Sequence, residues 1–287
     1  MELTHIATRS GRLSTFLKQE LALSTGLMNK LKWSEKLYVN GIPRHADFPV
    51  EPGDVITADL DEPKPDYPAE DGAFTILYED DHILVVDKPA GMLIHPSRSR
   101  LTGTLANRVI GYYERTGQAC AFHPITRLDR DTFGIVLLAK NAHIHGILNT
   151  FHAEDKMQKT YHALVFGGPE NDCGTIDAPI ARRPLPSLLR YVNPEGKPSR
   201  TTYQVLERKD GITKLALQPV TGRTHQLRVH CAHMGYPILG DPQYGSEASQ
   251  ALSAELGYTS QLLCAKSLCF PHPITGEQMV LTSKLDV

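Results

Sequence analysis

The chain has 287 residues, room for one large domain or two modest ones and for a proper hydrophobic core. A formal net charge of -2 excludes polyanion binding by a basic whole, so any nucleic-acid contact must come from local patches. Five cysteines without a Cys-x-x-Cys argue against a disulfide framework or zinc knuckle and for reduced cytosolic thiols. The N-terminus has no signal-peptide core, and no apolar run approaches a membrane span.

Taken in order, Ser14 is placed to cap a helix with Phe16, Leu17 and Leu21 on its apolar side. A second helical piece covers Ser24 to Trp33. Lys36 to Pro43 reads as a strand entering an Asn40-Gly41 hairpin turn, and Pro52-Gly53-Asp54 turns the chain into a strand at Val55 to Thr57. Residues 1–62 therefore read as a small unit. Two short helices, Asn40-Gly41 and Pro52-Gly53-Asp54 resemble the RNA-binding module of ribosomal protein S-four. That resemblance implies RNA contact, for which Lys30, Lys32, Lys36 and Arg44 form a modest basic set. Residues 63–72, with Pro63, Pro65 and Pro68 among charges, read as an extended linker.

Residues 73–287 open with apolar strands Phe74 to Tyr78 and His82 to Asp87 about a turn at Glu79-Asp80-Asp81. Lys88-Pro89-Ala90-Gly91-Met92 must bend, and Lys88 reads as a loop anchor rather than a reacting amine. A helix is expected over Leu101 to Arg115, then a buried β-branched strand at Ile135 to Ala139 and a helix over Asn141 to Asp155. His143, His145 and His152 lack metal-ligand spacing and read as surface or capping residues. Lys159 to Phe166 is a strand. Ile180 to Arg200 is a Pro-rich loop carrying Arg182, Arg183, Arg190, Lys197 and Arg200 against the single acid Glu195, the best local candidate for phosphate contacts. Strands Ser199 to Arg208 and Ile212 to Pro219 meet at Lys209-Asp210-Gly211. Thr224 is placed to cap a helix in which Arg228 sits between Leu227 and Val229. A guanidinium there is partly buried and needs a carboxylate partner. Closing strands are expected at Leu262 to Phe270 and Met279 to Leu281.

The chain is organised around residues 123–140. Arg127, Asp129, Arg130 and Asp131 crowd four charges into five positions at the mouth of the Ile135 strand. A carboxylate between guanidiniums on a loop held by a buried strand can present a reactive group; a solvated turn with local ion pairs is the plainer reading. Arg-Leu-Asp-Arg-Asp-Thr, then Gly and an aliphatic strand ending in Ala-Lys, resembles the signature of the RluA family of RNA pseudouridine synthases. Lys88-Pro-Ala-Gly, the Lys159-x-Tyr161-x-Ala163 strand, Gly222-Arg-Thr-His-Gln-Leu-Arg-Val-His230 and the loop Gly235 to Asp241 are similar to further blocks of that family, in the same order. Thr126 stands where the family usually has His, and Phe133 where it usually has Ser.

The resemblance implies an α+β protein whose catalytic domain has a mixed, largely antiparallel sheet flanked by helices and loops. It implies isomerisation of uridine to pseudouridine in structured RNA, without cofactor or metal. Asp129 would be the catalytic carboxylate and Arg228 its partner. Tyr161 would stack on the target base, and Arg127 would lie near the space that the base vacates. A glycosidase-like pairing of Asp129 with Asp131 is disfavoured, because Arg127 and Arg130 suggest ion pairing instead. Ribosomal RNA is the expected substrate, with transfer RNA open, for a cytoplasmic monomer that touches no membrane. The alternative from another class is a catalytically silent, RNA-binding ribosome-assembly factor.

Overall fold

The computed structural model describes residues 2–60, 68–97 and 100–287. In the N-terminal part the order is β1 (Glu2–Ile6), β2 (Gly11–Arg12), α1 (Leu13–Gln19), α2 (Thr25–Trp33), β3 (Leu37–Val39), β4 (Ile42–Pro43), β5 (Pro49–Val50) and β6 (Val55–Asp59). Four of the strands form a sheet in the order β1-β6-β3-β4. Ser24 caps α2 by accepting from the Leu27 amide at 3.2 Å. Asn40 and Gly41 both take positive φ, 53° and 75°, the turn an Asn-Gly pair favours. Ser14 is no cap: α1 begins at Leu13, after an extended Arg12 that makes no side-chain cap bond. β1 has no counterpart in the sequence reading, since Glu-Leu-Thr-His-Ile shows only weak alternation. Leu13, Phe16, Leu17, Val50 and Ile56, all fully buried, centre a hydrophobic core within this part of the chain.

The rest continues with β7 (Thr75–Glu79), β8 (Ile83–Lys88), α3 (Leu105–Arg115), β9 (His123–Pro124), β10 (Phe133–Ala139), α4 (Ala142–Ala153), β11 (Gln158–Phe166) and β12 (Cys173–Asp177). Then follow β13 (Ile180–Arg182), β14 (Arg190–Val192), β15 (Arg200–Lys209), β16 (Ile212–Pro219), α5 (Gln226–His233), α6 (Glu247–Glu255), β17 (Leu263–Pro271) and β18 (Gln278–Thr282). Ten strands join in one sheet with the main path β12-β15-β16-β11-β17-β10-β8-β7. Within it, among the described residues, only β10 and β17 run parallel, so the sheet is mixed and largely antiparallel, flanked by helices, as expected.

β8 and β10 read as continuous apolar runs because both faces of the sheet are covered there. Leu84, Val86, Val136 and Leu138 point to one face and pack under α3 against Leu105, Val109 and Tyr113. Their neighbours Ile83, Val85, Ile135 and Leu137 point to the other and pack with Ile144 and Leu148 of α4 and Phe270. Leu137 is fully buried, so truncating it to Ala would cost about 2–5 kcal/mol. α3 starts four residues later than expected, at a capping box formed by Thr104 and Asn107.

Of the proposed linker, residues 63–67 lie outside the described residues; in 68–72, which carry no helix or strand, the Glu70 amide donates to the Asn107 carbonyl at 3.0 Å, and Asn107 Nδ2 donates to the Pro68 carbonyl at 2.8 Å. Three further readings are corrected. The Pro-rich stretch from Ile180 is a hairpin of β13 and β14, with Arg182 opposite Arg190. His143 is buried, not a surface residue. Thr224 does not cap α5, which begins at Gln226 after His225.

Candidate active site

The parallel seam positions the site. Ala265 of β17 pairs with Gly134 on one side and with Tyr161 of β11 on the other, so the start of β10 and Tyr161 lie two strands apart, about 10 Å. A bulge between Thr160 and Tyr161 changes the register there, a device that re-aims a side chain. Gly134 has φ of +103°, and a Cβ on it would meet the Ala265 carbonyl oxygen at 2.4 Å. Only glycine lets β10 approach β17 this closely.

Asp129 lies in the loop that feeds this seam, and three contacts fix the loop. Lys88, fully buried at the end of β8, donates to the carbonyls of Arg130 at 2.9 Å, Met92 at 2.9 Å and Pro89 at 3.0 Å. It is a loop anchor. Burial pushes its ammonium down to about 8, while Asp131 and then Asp129 act in the opposite sense. Thr126 is buried and accepts from the Leu137 amide at 3.0 Å, which gives this departure from the family pattern a structural use. Thr132 is buried and accepts from Gln261 Nε2 at 3.3 Å. Asp131 is taken by Arg130, whose Nε and Nη2 reach it at 3.0 and 2.8 Å, so it is ion-paired. The Asp129 carboxylate stays 30% exposed, open to a substrate.

Arg228, in the first turn of α5, is buried. Its Nη1 donates to Asp129 Oδ2 at 3.2 Å, the pairing expected from the sequence. That is its weaker partner. Nε and Nη2 grip the fully buried Asp241 carboxylate at 2.7 Å each, Nη2 also reaches Gln243 Oε1 at 2.8 Å, and the guanidinium lies 4.9 Å from the Tyr244 ring centroid. Burial opposes the charge of Arg228, but Asp241 and then Asp129 outweigh it and raise the guanidinium above its ordinary value. One cation between two carboxylates leaves the group net negative, and the less satisfied oxygens belong to Asp129.

α5 is held by the rest of its motif. Gln226 Oε1 accepts from the Arg223 amide and Thr221 Oγ1, while Nε2 donates to the Arg200 carbonyl and Thr201 Oγ1. These bonds tie the start of α5 to the preceding turn and to the start of β15, while the helix itself begins with no side-chain cap. His230 is buried between Thr201 Oγ1 at 2.9 Å and the Ala178 carbonyl at 3.0 Å, a structural pin.

Tyr161 is partly buried. Burial, then the charge of Asp129, pushes its phenol up, which keeps the ring neutral. Arg127 is exposed on the Asp129 loop. It lies near enough to His95 that, after burial, its charge is the next cause holding that imidazole down. The hairpin of Arg182, Arg183 and Arg190 adjoins the site through its backbone: the Arg190 amide donates to the Tyr244 hydroxyl at 3.0 Å. Arg182 and Arg183 are exposed. Lys197 lies further along, exposed, and the exposed Arg200 is committed to Asp177 at 2.6 Å. Asp129 and Arg228 thus meet, Tyr161 lies near enough for the Asp129 charge to act on its phenol, Arg190 joins the group through Tyr244, and Lys197 and Arg200 do not. Sequence reading missed Asp241, Gln243, Tyr244 and His225. The need of a buried guanidinium for more than one acceptor pointed to Asp241 in the nearby Gly-Asp loop.

Among the described residues no His, Cys, Asp and Glu group is arranged to hold a metal, and no helix is long and apolar enough to cross a membrane. The family model described as RNA pseudouridylate synthase matches residues 82–233, just over half of the chain. An uncharacterized RNA pseudouridine synthase of Bacillus subtilis, YjbO, is 37% identical over 91% of this chain and 90% of its own length. Ribosomal large subunit pseudouridine synthase C of Vibrio cholerae is 32% identical over 96% of this chain and 90% of its own. The solved structure of human RNA pseudouridylate synthase domain containing 1 matches with a TM-score of 0.61 at 28% identity, covering 76% of this chain and 86% of that one. A family model matching over half of the chain, and relatives above 30% identity that cover nearly all of it, place the chain in the RNA pseudouridylate synthase family.

Proposed function

We propose that the chain isomerises uridine to pseudouridine in ribosomal RNA with Asp129 as the reacting carboxylate. The observation that carries the assignment is the unequal sharing of Arg228: Asp241 holds the guanidinium rigid, and among the described residues Asp129 receives one hydrogen-bond donor, on Oδ2, and keeps the rest of its carboxylate free. The reaction breaks the bond from N1 of uracil to the ribose, turns the base in place and joins carbon 5 to the sugar. A carboxylate can serve by attacking as a nucleophile or by removing a sugar proton as a base, and both use the free lone pairs of Asp129. Tyr161 offers its ring face to the extruded base, whose unstacking costs a few kcal/mol. Arg127, exposed on the same loop, supports the RNA where the base has left.

Phosphate contacts fall to Arg182, Arg183 and Arg190 on the hairpin beside the site, with Lys197 further out and Arg200 weakened by its pairing with Asp177. The ribosomal substrate rests on relatives named for the large subunit, such as the Vibrio cholerae synthase. Residues 1–62 are the candidate second RNA contact, an S-four-like module that offers Lys30 and Lys32 at the end of α2. The protein would act as a cytoplasmic monomer. Incubating purified protein with rRNA transcripts and hydrolysing the RNA to nucleosides tests the reaction: pseudouridine in the digest supports it, and free uracil released instead would make the chain a hydrolase.

A further inference from the structure

His225 precedes α5 with φ of +58°, a left-handed conformation rare for a residue other than glycine, and such strain persists where the surroundings over-determine it. Its side chain is mostly buried between two groups of the site. Nδ1 lies 2.8 Å from the Tyr244 hydroxyl, and Nε2 lies 3.8 Å from Asp129 Oδ2. The Tyr244 oxygen already accepts the Arg190 amide, and among the described residues the other hydrogen-bond partner recorded for that hydroxyl is His225 Nδ1. A phenol oxygen that already accepts one N–H has its own proton to offer Nδ1; with Nδ1 as acceptor the ring proton sits on Nε2. The opposite tautomer would aim an Nε2 lone pair at the Asp129 carboxylate.

The geometry points to His225 as a positioning residue for Asp129: Tyr244 fixes its tautomer, and Nε2–H supplies a second donor to Oδ2, opposite Arg228, when the site closes on RNA. A movement of about 1 Å brings 3.8 Å into hydrogen-bond range, and such contacts are often long before substrate binds. The groups around the imidazole agree with a neutral ring. Burial lowers its affinity for a proton, Asp129 opposes this, Arg228 and Arg190 add to it, and Asp241 opposes it more weakly. Because the Arg190 amide starts the chain of hydrogen bonds, the basic hairpin is wired to the reacting carboxylate. This rests on Asp129 being that carboxylate.

The tautomer is read directly in the unmodified protein from the imidazole nitrogen shifts of 15N-histidine-labelled enzyme. The expected signal is Nε2–H with bare Nδ1, lost to a mixture in Tyr244→Phe; an Nδ1–H ring in the wild type overturns the inference. Kinetically, His225→Asn tolerates the left-handed backbone but is too short to reach Asp129, whereas His225→Gln can place an amide N–H near the Nε2 position. The Asn variant should lose about ten- to hundred-fold in kcat with KM and melting unchanged, and Gln should recover most of it. Wild-type turnover in His225→Asn, or equal loss in both variants, would sink the role of His225. Asp129→Asn, run beside them, shows separately whether the underlying assignment stands.

Discussion

Arg228 is asked to do two things, and they separate by mutation. In Arg228→Met the fully buried Asp241 loses both 2.7 Å bonds, and Gln243 loses its donor. Breaking a buried pair from one side costs about 3–5 kcal/mol, because the buried Asp241 charge loses its counter-charge and keeps the Gln243 and Tyr244 amides, at 2.9 and 3.2 Å. At about 2–4 °C per kcal/mol for a domain of this size, the melting point should fall by roughly 6–20 °C. In Asp129→Asn the lost contact is one 3.2 Å bond to a carboxylate that is 30% exposed, and the amide can still accept it. That change should stay within about 1 kcal/mol. The assay is thermal unfolding of both variants, with turnover measured below the lower midpoint. Both should be inactive, but only Arg228→Met should be unstable. If Arg228→Met melts like the wild type, or Asp129→Asn costs as much, the unequal sharing of the guanidinium is wrong.

Gly134→Ala should destabilise by about 3 kcal/mol or more, since the new methyl meets the Ala265 carbonyl on a backbone of positive φ; an unchanged denaturation midpoint would contradict the close parallel seam. His143 is buried, its Nδ1 has no hydrogen-bond partner among the described residues, and its imidazole is held down by burial and then by His82. Its folded form therefore resists a proton that the unfolded chain accepts. Stability from the neutral ring is present above about pH 6.5 and drains away as pH falls through that value. Urea titrations at pH 7.5 and 5.5 should show a smaller loss for His143→Leu than for the wild type, and equal losses would refute it. Glu at both Arg182 and Arg183 should weaken RNA binding and flatten its salt dependence by about one unit of slope per lost phosphate contact; an unchanged slope would remove the hairpin from the interface.

Strands at β8 and β10 were legible because burial on both faces leaves an unbroken apolar run, and Lys88 was legible as an anchor because a lysine closing such a run must turn onto carbonyls. The Asp129–Arg228 meeting was legible from motifs far apart in the chain, through resemblance rather than periodicity. The Arg182–Arg190 hairpin was hidden by its prolines and charges, which mask strand alternation in a ribbon only three residues long on each side. The start of α5 was misread because the helix is entered through a left-handed His225 with no side-chain cap, and Gln226 ties it to the preceding turn instead, contacts that no propensity encodes. Asp241 escaped notice for a related reason. A buried acid is recognised by the cation it meets, and that cation lies thirteen residues earlier, across a turn.

Tritium release from RNA carrying carbon-5-labelled uridine reports bond formation at that carbon and nothing else in the cycle. With matched folded samples, the wild type should release label from the proposed rRNA substrate and Asp129→Asn should release none. Release by the Asn variant at the wild-type rate would show that the carboxylate is not the reacting group.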